Sequence, residues 1–172
     1  NLKISIIGAG MGGLCAAVSL KQRGYDVHVY ERAPELGEYG AGLQLGPNCF
    51  KVFRALGMEA QLRANAFEPR TIVSIKWDDA SLRYREPIKG VYERQFGAPY
   101  TLAHRGDLHA ALASAVPEEI VRLDHRLTGI ESDGRGVTLA FGNGNVVHAD
   151  MAIGADGVNS IVKDALFGKD EP

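Results

Sequence analysis

The chain has 172 residues, 45% hydrophobic and 23% charged, and its 19 Lys+Arg against 21 Asp+Glu give a formal net charge of -2. These values describe a globular chain, one domain or one domain with part of another, and exclude wholesale disorder. They also exclude the basic surplus of a nucleic-acid or anionic-membrane binder, and no run approaches the roughly 18 apolar residues of a membrane-spanning helix.

The chain opens on Ile4, Ile6 and Ile7, a run that closes at Gly8 and predicts a short strand buried on both faces. It breaks at Gly8 without a basic leader, which is not the pattern of a secretory signal. Leu14, Ala17, Val18 and Leu20 then share one face of a helix from Gly12 to about Arg23, which Gly24 stops. A second strand covers Val27 to Glu31, completing a βαβ unit. Gly37, Gly40, Gly42 and Gly46 next punctuate a predicted loop, and Pro47 starts a helix over Asn48 to Leu56. A shorter helical piece spans Glu59 to Arg63.

From Thr71 the apolar period becomes two. Asp78 and Asp79 form the tip of a hairpin whose second arm is Ser81 to Arg85. A strand over Pro99 to Ala103 and a helix over Asp107 to Val116 follow. Further strands are expected at Ile120–Leu123, Leu127–Glu131, Val137–Phe141 and Val146–Ile153, the last three joined as a meander by turns at 133–136 and 142–145. A final helix covers Ser160 to Leu166. The fold class is therefore α/β: a Rossmann-like nucleotide-binding domain with a β-meander, interrupted by the start of a second, sheet-bearing domain. The expected division is 1–70 and 104–172 for the first domain and 71–103 for the inserted strands.

Gly8-Ala9-Gly10-Met11-Gly12-Gly13 satisfies GxGxxG at Gly8, Gly10 and Gly13, between a strand and a helix. The glycines suit a tight turn, a close approach by a pyrophosphate, and close helix–strand packing. The pyrophosphate would lie on free amides at the helix N-terminus. Glu31 ends the next strand, 18 residues beyond Gly13, where an acid accepts from ribose hydroxyls. An acid there disfavours a 2′-phosphate, so NADP does not suit this pocket. Gly154-Ala155-Asp156-Gly157 follows an apolar strand and precedes a helix, which alone is a common turn. Arg105 precedes a helix, where a solvated cation is the ordinary alternative to a phosphate clamp.

Other residues carry less. Cys15 and Cys49 form no CxxC pair, and a cytoplasmic, reducing location fits them. The five histidines have no acidic ligand set beside them, so no metal site is expected, and His109 is assigned to a helix face. Ser5, Ser19 and Ser160 lack a GxSxG elbow. Trp77, Tyr84, Tyr92 and Phe96 suit core or sheet packing, with an aromatic-substrate surface as the alternative. No catalytic residue is identified.

Gly8-x-Gly10-x-x-Gly13, Glu31-Arg32, Gly40-Ala41-Gly42-Leu43-Gln44, His104-Arg105-x-Asp107-Leu108 and Gly154-Ala155-Asp156-Gly157 occur in the order and spacing of the FAD-dependent aromatic-ring hydroxylases. The chain resembles these single-component flavoprotein monooxygenases over nearly its whole length. Within them it is most similar to the salicylate, 3-hydroxybenzoate and 6-hydroxynicotinate hydroxylases, through Gly37 to Asn48 and Pro99 to Ala111. The resemblance implies an enzyme that binds FAD, is reduced by NADH or NADPH, and hydroxylates a small aromatic acid with O₂ through a flavin hydroperoxide. It implies no nucleic-acid or membrane partner and leaves a homodimer among the possible assemblies.

The resemblance also implies site residues. Gly8, Gly10, Met11, Gly12 and Gly13 would seat the FAD pyrophosphate and Glu31 the ribose, with Arg32 beside the adenine and the Leu127 backbone near it. Arg105 would contact the phosphate or ribityl region. Asp156 and Gly157 would meet the pyrophosphate and take part in binding the nicotinamide cofactor. Gly40 to Gln44, with Gly42 among the cofactor-binding positions, would run near the isoalloxazine, and Gln44 would line the substrate side. The family usually has Arg where Lys163 stands, and the 6-hydroxynicotinate enzymes have His where Gln44 stands. Its second FAD motif, Gly-Asp-Ala, normally lies beyond residue 172, so the chain is expected to be an N-terminal portion of such an enzyme. A different FAD-dependent reductase or epoxidase, and a non-catalytic nucleotide-binding module, are the alternatives.

Overall fold

The computed structural model describes residues 2–37 and 40–169; residues 38 and 39, within the Gly37 to Asn48 stretch, and the extreme termini lie outside them. The β-branched opening forms strand β1 (Lys3–Ile7), buried from Ile4 onward. After Gly8 the chain enters helix α1 (Met11–Gln22), which buries Gly13, Leu14, Ala17 and Val18. Gly24, at φ +80°, turns the chain out of it and into strand β2 (Asp26–Tyr30). The glycine-rich stretch predicted as loop contains strand β3 (Gly42–Leu45), followed by helices α2 (Pro47–Ala55) and α3 (Glu59–Ala64) and the two-residue strand β4 (Ala66–Phe67). The predicted hairpin is present as β5 (Thr71–Ile75) and β6 (Leu82–Pro87).

Helix α4 (Val91–Phe96), absent from the sequence expectation, precedes strand β7 (Thr101–His104) and helix α5 (Arg105–Ser114). A single 3-10 turn at Glu118–Ile120 replaces the start of the strand expected at Ile120, leaving β8 (Val121–Arg122). The meander is β9 (Leu127–Ser132), β10 (Val137–Phe141) and β11 (Val146–Ala149). Strand β12 (Met151–Gly154) and helix α6 (Ile161–Phe167) close the described residues.

By compactness the chain divides into two units, Asn1–Glu38 with His109–Pro172, and Tyr39–Leu108. In the first, an all-parallel sheet runs β12-β1-β2-β8, with Ile6 opposite Ile153 on one side and Val29 on the other. Beside it stands the antiparallel meander β11-β10-β9. Ile7, Tyr30, Leu127, Leu139, Phe141 and Val162 form a buried cluster between sheet, meander and α6. Tyr30 stacks on Phe141 with ring centroids 4.9 Å apart, and burial pushes its phenol pKa up.

The sequence reads 146–153 as one strand, and the structure breaks it at Asp150. The Asp150 amide donates to the Lys3 carbonyl at 3.0 Å, and its carboxylate accepts from the Lys3 amide at 2.7 Å. The chain there leaves the meander as β11 and joins the parallel sheet as β12. In the second unit, β3 and β4 flank β7 antiparallel, and β5-β6 form a separate two-stranded ribbon. Trp77, expected in packing, is 97% exposed at the ribbon's tip, because no second layer covers the hairpin among the described residues.

Candidate functional site

The turn between β1 and α1 is shaped by close approach. Gly8 lies at φ +100°, and a Cβ there would overlap the Ala155 carbonyl; one on Gly13 would overlap the Gly8 carbonyl. Packing of the chain on itself therefore accounts for both glycines. Gly12 differs: a Cβ on it would meet nothing within 4 Å, so the space over the first turn of α1 is open.

The same turn has unused donors. Among the described residues no group accepts from the amides of Met11, Gly12 or Gly13, no side chain caps Gly10, and the first turn holds no acid. Three free N–H groups at the positive end of a 12-residue helix, beside an open cradle, are the donor set a phosphate requires. The FAD pyrophosphate fits this chemistry.

Glu31 lies directly after β2. Its Oε2 accepts from the Ala9 amide at 2.7 Å and its Oε1 from the Ala33 amide at 2.9 Å. Each carboxylate oxygen keeps a further lone pair, so ribose hydroxyls can still be accepted. The neighbouring main chain is bridged to the meander: the His125 amide donates to the Glu31 carbonyl at 2.8 Å and the Asp124 amide to that of Ala33 at 3.1 Å. Arg32 is exposed. Leu127 buries its side chain in the meander core, which leaves only its backbone to face a ligand.

Asp156 is committed locally. Its carboxylate accepts from the amides of Ile161 at 2.7 Å and Val162 at 3.3 Å and from the Ser160 hydroxyl at 2.5 Å, which caps α6. Ser160 in turn accepts from the Lys163 amide at 2.9 Å. Asp156 thus sets where Gly157, at φ +83°, presents its backbone. Ala155, one residue earlier, donates to the Ile7 carbonyl at 2.8 Å and lies against both Gly8 and Gly13. The Gly-Ala-Asp-Gly segment and the glycine turn are therefore one packed assembly.

The second unit carries Gly42, Gln44 and Arg105. Gly42 pairs with His104 and Gln44 with Leu102, while Phe67 faces Leu102 from the other side. Gln44, Leu102 and Phe67 make a cross-strand row in which Gln44 and Phe67 are exposed. Arg105 begins α5, and its Cδ lies 3.2 Å from where a Cβ on Gly40 would stand.

Sequence reasoning missed His109. It lies on α5 as expected, but on a buried face, 3% exposed and with Nε2 2.7 Å from the Ala9 carbonyl. No local pattern reveals a contact to a turn 100 residues away. Among the described residues no group of three His, Cys, Asp or Glu side chains could hold a metal ion.

A family model described as FAD binding domain matches residues 1–169. Among curated relatives, the 6-hydroxynicotinate 3-monooxygenase of Pseudomonas fluorescens is 37% identical over 170 residues, covering 99% of this chain and 44% of that protein. The 3-amino-4-hydroxybenzoate 2-monooxygenase of Streptomyces cremeus is 40% identical over 172 residues, covering 100% of this chain and 43% of that protein. Klebsiella pneumoniae HpxO, solved with FAD and uric acid, superposes with a TM-score of 0.83 at 29% identity, over 95% of this chain and 41% of its own. The chain thus spans less than half the length of the curated relatives it matches. A βαβ turn with free helix amides, an acid after its second strand and a matching family model lead to one conclusion: the chain belongs to the FAD-binding domain family.

Proposed function

We propose that the chain is the FAD-binding portion of an NAD(P)H-dependent flavoprotein monooxygenase that hydroxylates a hydroxylated aromatic acid. The observation that carries the FAD site is the set of acceptor-free amides at Met11, Gly12 and Gly13 beside an open cradle. In this assignment Gly8 and Gly13 let the turn pack, and the amides of Gly10 to Gly13 hold the pyrophosphate. Glu31 accepts from the ribose, Arg32 and the Leu127 backbone flank the adenine, and Arg105 binds the phosphate or ribityl region. Asp156 holds Gly157 in place for the pyrophosphate, Gly42 runs beside the isoalloxazine, and Gln44 lines the substrate side.

When bound and reduced by a nicotinamide nucleotide, FAD would supply the O₂ chemistry of the hydroxylation. The protein's part is to bind, orient and exclude water, and no side chain described here is assigned a proton-transfer role. We retain 1–70 with 104–172 as the FAD-binding domain and 71–103 as the start of a substrate domain. No helix among the described residues is long and apolar enough to cross a membrane. The cytoplasm is the compartment the cysteine pattern supports.

The test uses the protein expressed from its complete gene. Its heat-released cofactor should co-elute with FAD. Its oxidation of NADH or NADPH should rise with one of 6-hydroxynicotinate, 3-amino-4-hydroxybenzoate, 3-hydroxybenzoate or salicylate, with hydroxylated product formed. A protein that neither carries nor takes up FAD overturns the cofactor assignment. FAD binding without aromatic-stimulated oxidation overturns the hydroxylase assignment alone.

A further inference from the structure

The glycine turn has a conformational problem. Gly8 is held by its close approach to Ala155, but Gly10 carries no Cβ to restrict it, so the peptide between them has more orientations open to it in the absence of a ligand. The amides that receive a pyrophosphate must nevertheless point the same way. Two side chains from outside the βαβ turn restrain the residue between these glycines. Glu31 Oε2 accepts from the Ala9 N–H at 2.7 Å, and the His109 Nε2 lies 2.7 Å from the Ala9 carbonyl. A carbonyl oxygen only accepts, so Nε2 carries the proton and donates.

The Ala9 carbonyl belongs to the same planar trans peptide as the Gly10 N–H, which points the opposite way. His109 is buried, so drawing the carbonyl toward it turns the Gly10 N–H outward. Among the described residues that N–H has no acceptor, like those of Met11 to Gly13. Ala9 itself is 2% exposed, which keeps bulk water from replacing the imidazole as donor. We propose that His109 is a positioning residue: through the Ala9 carbonyl it aims the Gly10 amide and presets the turn that receives the FAD pyrophosphate. The proposal rests on the FAD assignment above.

The test compares His109→Leu, which fills the space without a donor, with His109→Gln, which keeps a terminal N–H, in the full-length protein. FAD affinity is read by flavin fluorescence. Hydrogen exchange over residues 8–13 is read in the FAD-free protein. The Leu variant should lose about tenfold in FAD affinity, the scale of one buried carbonyl left without its donor, and should exchange faster in the turn. The Gln variant should recover most of both. A Leu variant that binds FAD as the wild type does overturns the proposal, whichever way its melting temperature moves. A Gln variant as weak as the Leu variant also overturns it, because the donor would then not be what was lost. Should the Leu variant fail to fold, the wild type decides through imidazole nitrogen chemical shifts: a protonated Nε2 supports the proposal, and an Nδ1–H tautomer overturns it. Wild-type protein that takes up no FAD overturns the cofactor assignment, and the proposal with it.

Discussion

The Glu31 carboxylate accepts from the Ala9 and Ala33 amides, so it shapes the turn before any ribose arrives. Glu31→Ala should therefore lower the stability of the FAD-free protein by about 1–3 kcal/mol, the cost of leaving such donors unpaired, as well as weaken FAD binding. Urea unfolding of the FAD-free protein checks the first effect. Weakened binding with an unchanged midpoint would show that the two backbone contacts contribute nothing. At this scale the local pattern was legible: Gly8, Gly10, Gly13 and Glu31 stand at spacings that one βαβ unit imposes. The partners were not. Ala9 and Ala33 have ordinary side chains, His109 reaches the turn from α5, and Asp156 turns its carboxylate into the cap of α6. Each depends on where distant main chain lies.

Helices α2, α3 and α4 are tied together by charge. Arg54 pairs with Glu59 through Nε and Nη2, and Arg63 bridges Glu59 at 2.9 Å and Glu93 at 2.6 Å. Hydrogen bonding from Arg54 in the first place, with Arg63 adding to it, lowers the Glu59 pKa from its ordinary value of 4.5 to about 2. A lowered folded-state value means stabilisation that is present above the ordinary value and lost as pH falls through the folded one. The wild type should therefore lose stability between pH 4.5 and about 2 more steeply than Glu59→Gln, and more so at low salt. Thermal unfolding across that window checks this; parallel profiles for the two proteins would remove the network from the pH response. The long, periodic elements and the short α3 were legible in sequence, whereas β3, β4 and α4 were not. Glycines at 42 and 46 masked β3. Helix α4 has only six residues, although Gly90 and Gly97, both left-handed, bracket it. The break at Asp150 had no signal beyond an acid inside an apolar run, because its partner is Lys3.

The parallel sheet draws β1 and β2 from one end of the chain and β8 and β12 from the other. A chain ended after Ala149 would lack β12 and α6. It would leave β1 as a bare edge and strip Ala155 from beneath Gly8 and Gly13. Such a chain should lose cooperative thermal unfolding, measured by circular dichroism, because Ile4 and Ile6 lose their neighbours on one side. A sharp transition at the parent temperature would show that the sheet closes without its last strand. The α/β class was readable from the order of elements. That β12 would pair with β1 was not, since pairing across the whole chain has no local correlate.

That pairing sets an order in time. On the ribosome the nucleotide motif is made well before the strand that flanks it and the alanine it rests on. Between those two points the motif is present as sequence but lacks the neighbours that shape it. A nucleotide can therefore assist this fold only after the β12 segment has emerged, and until then β1 is an unpaired edge on that side.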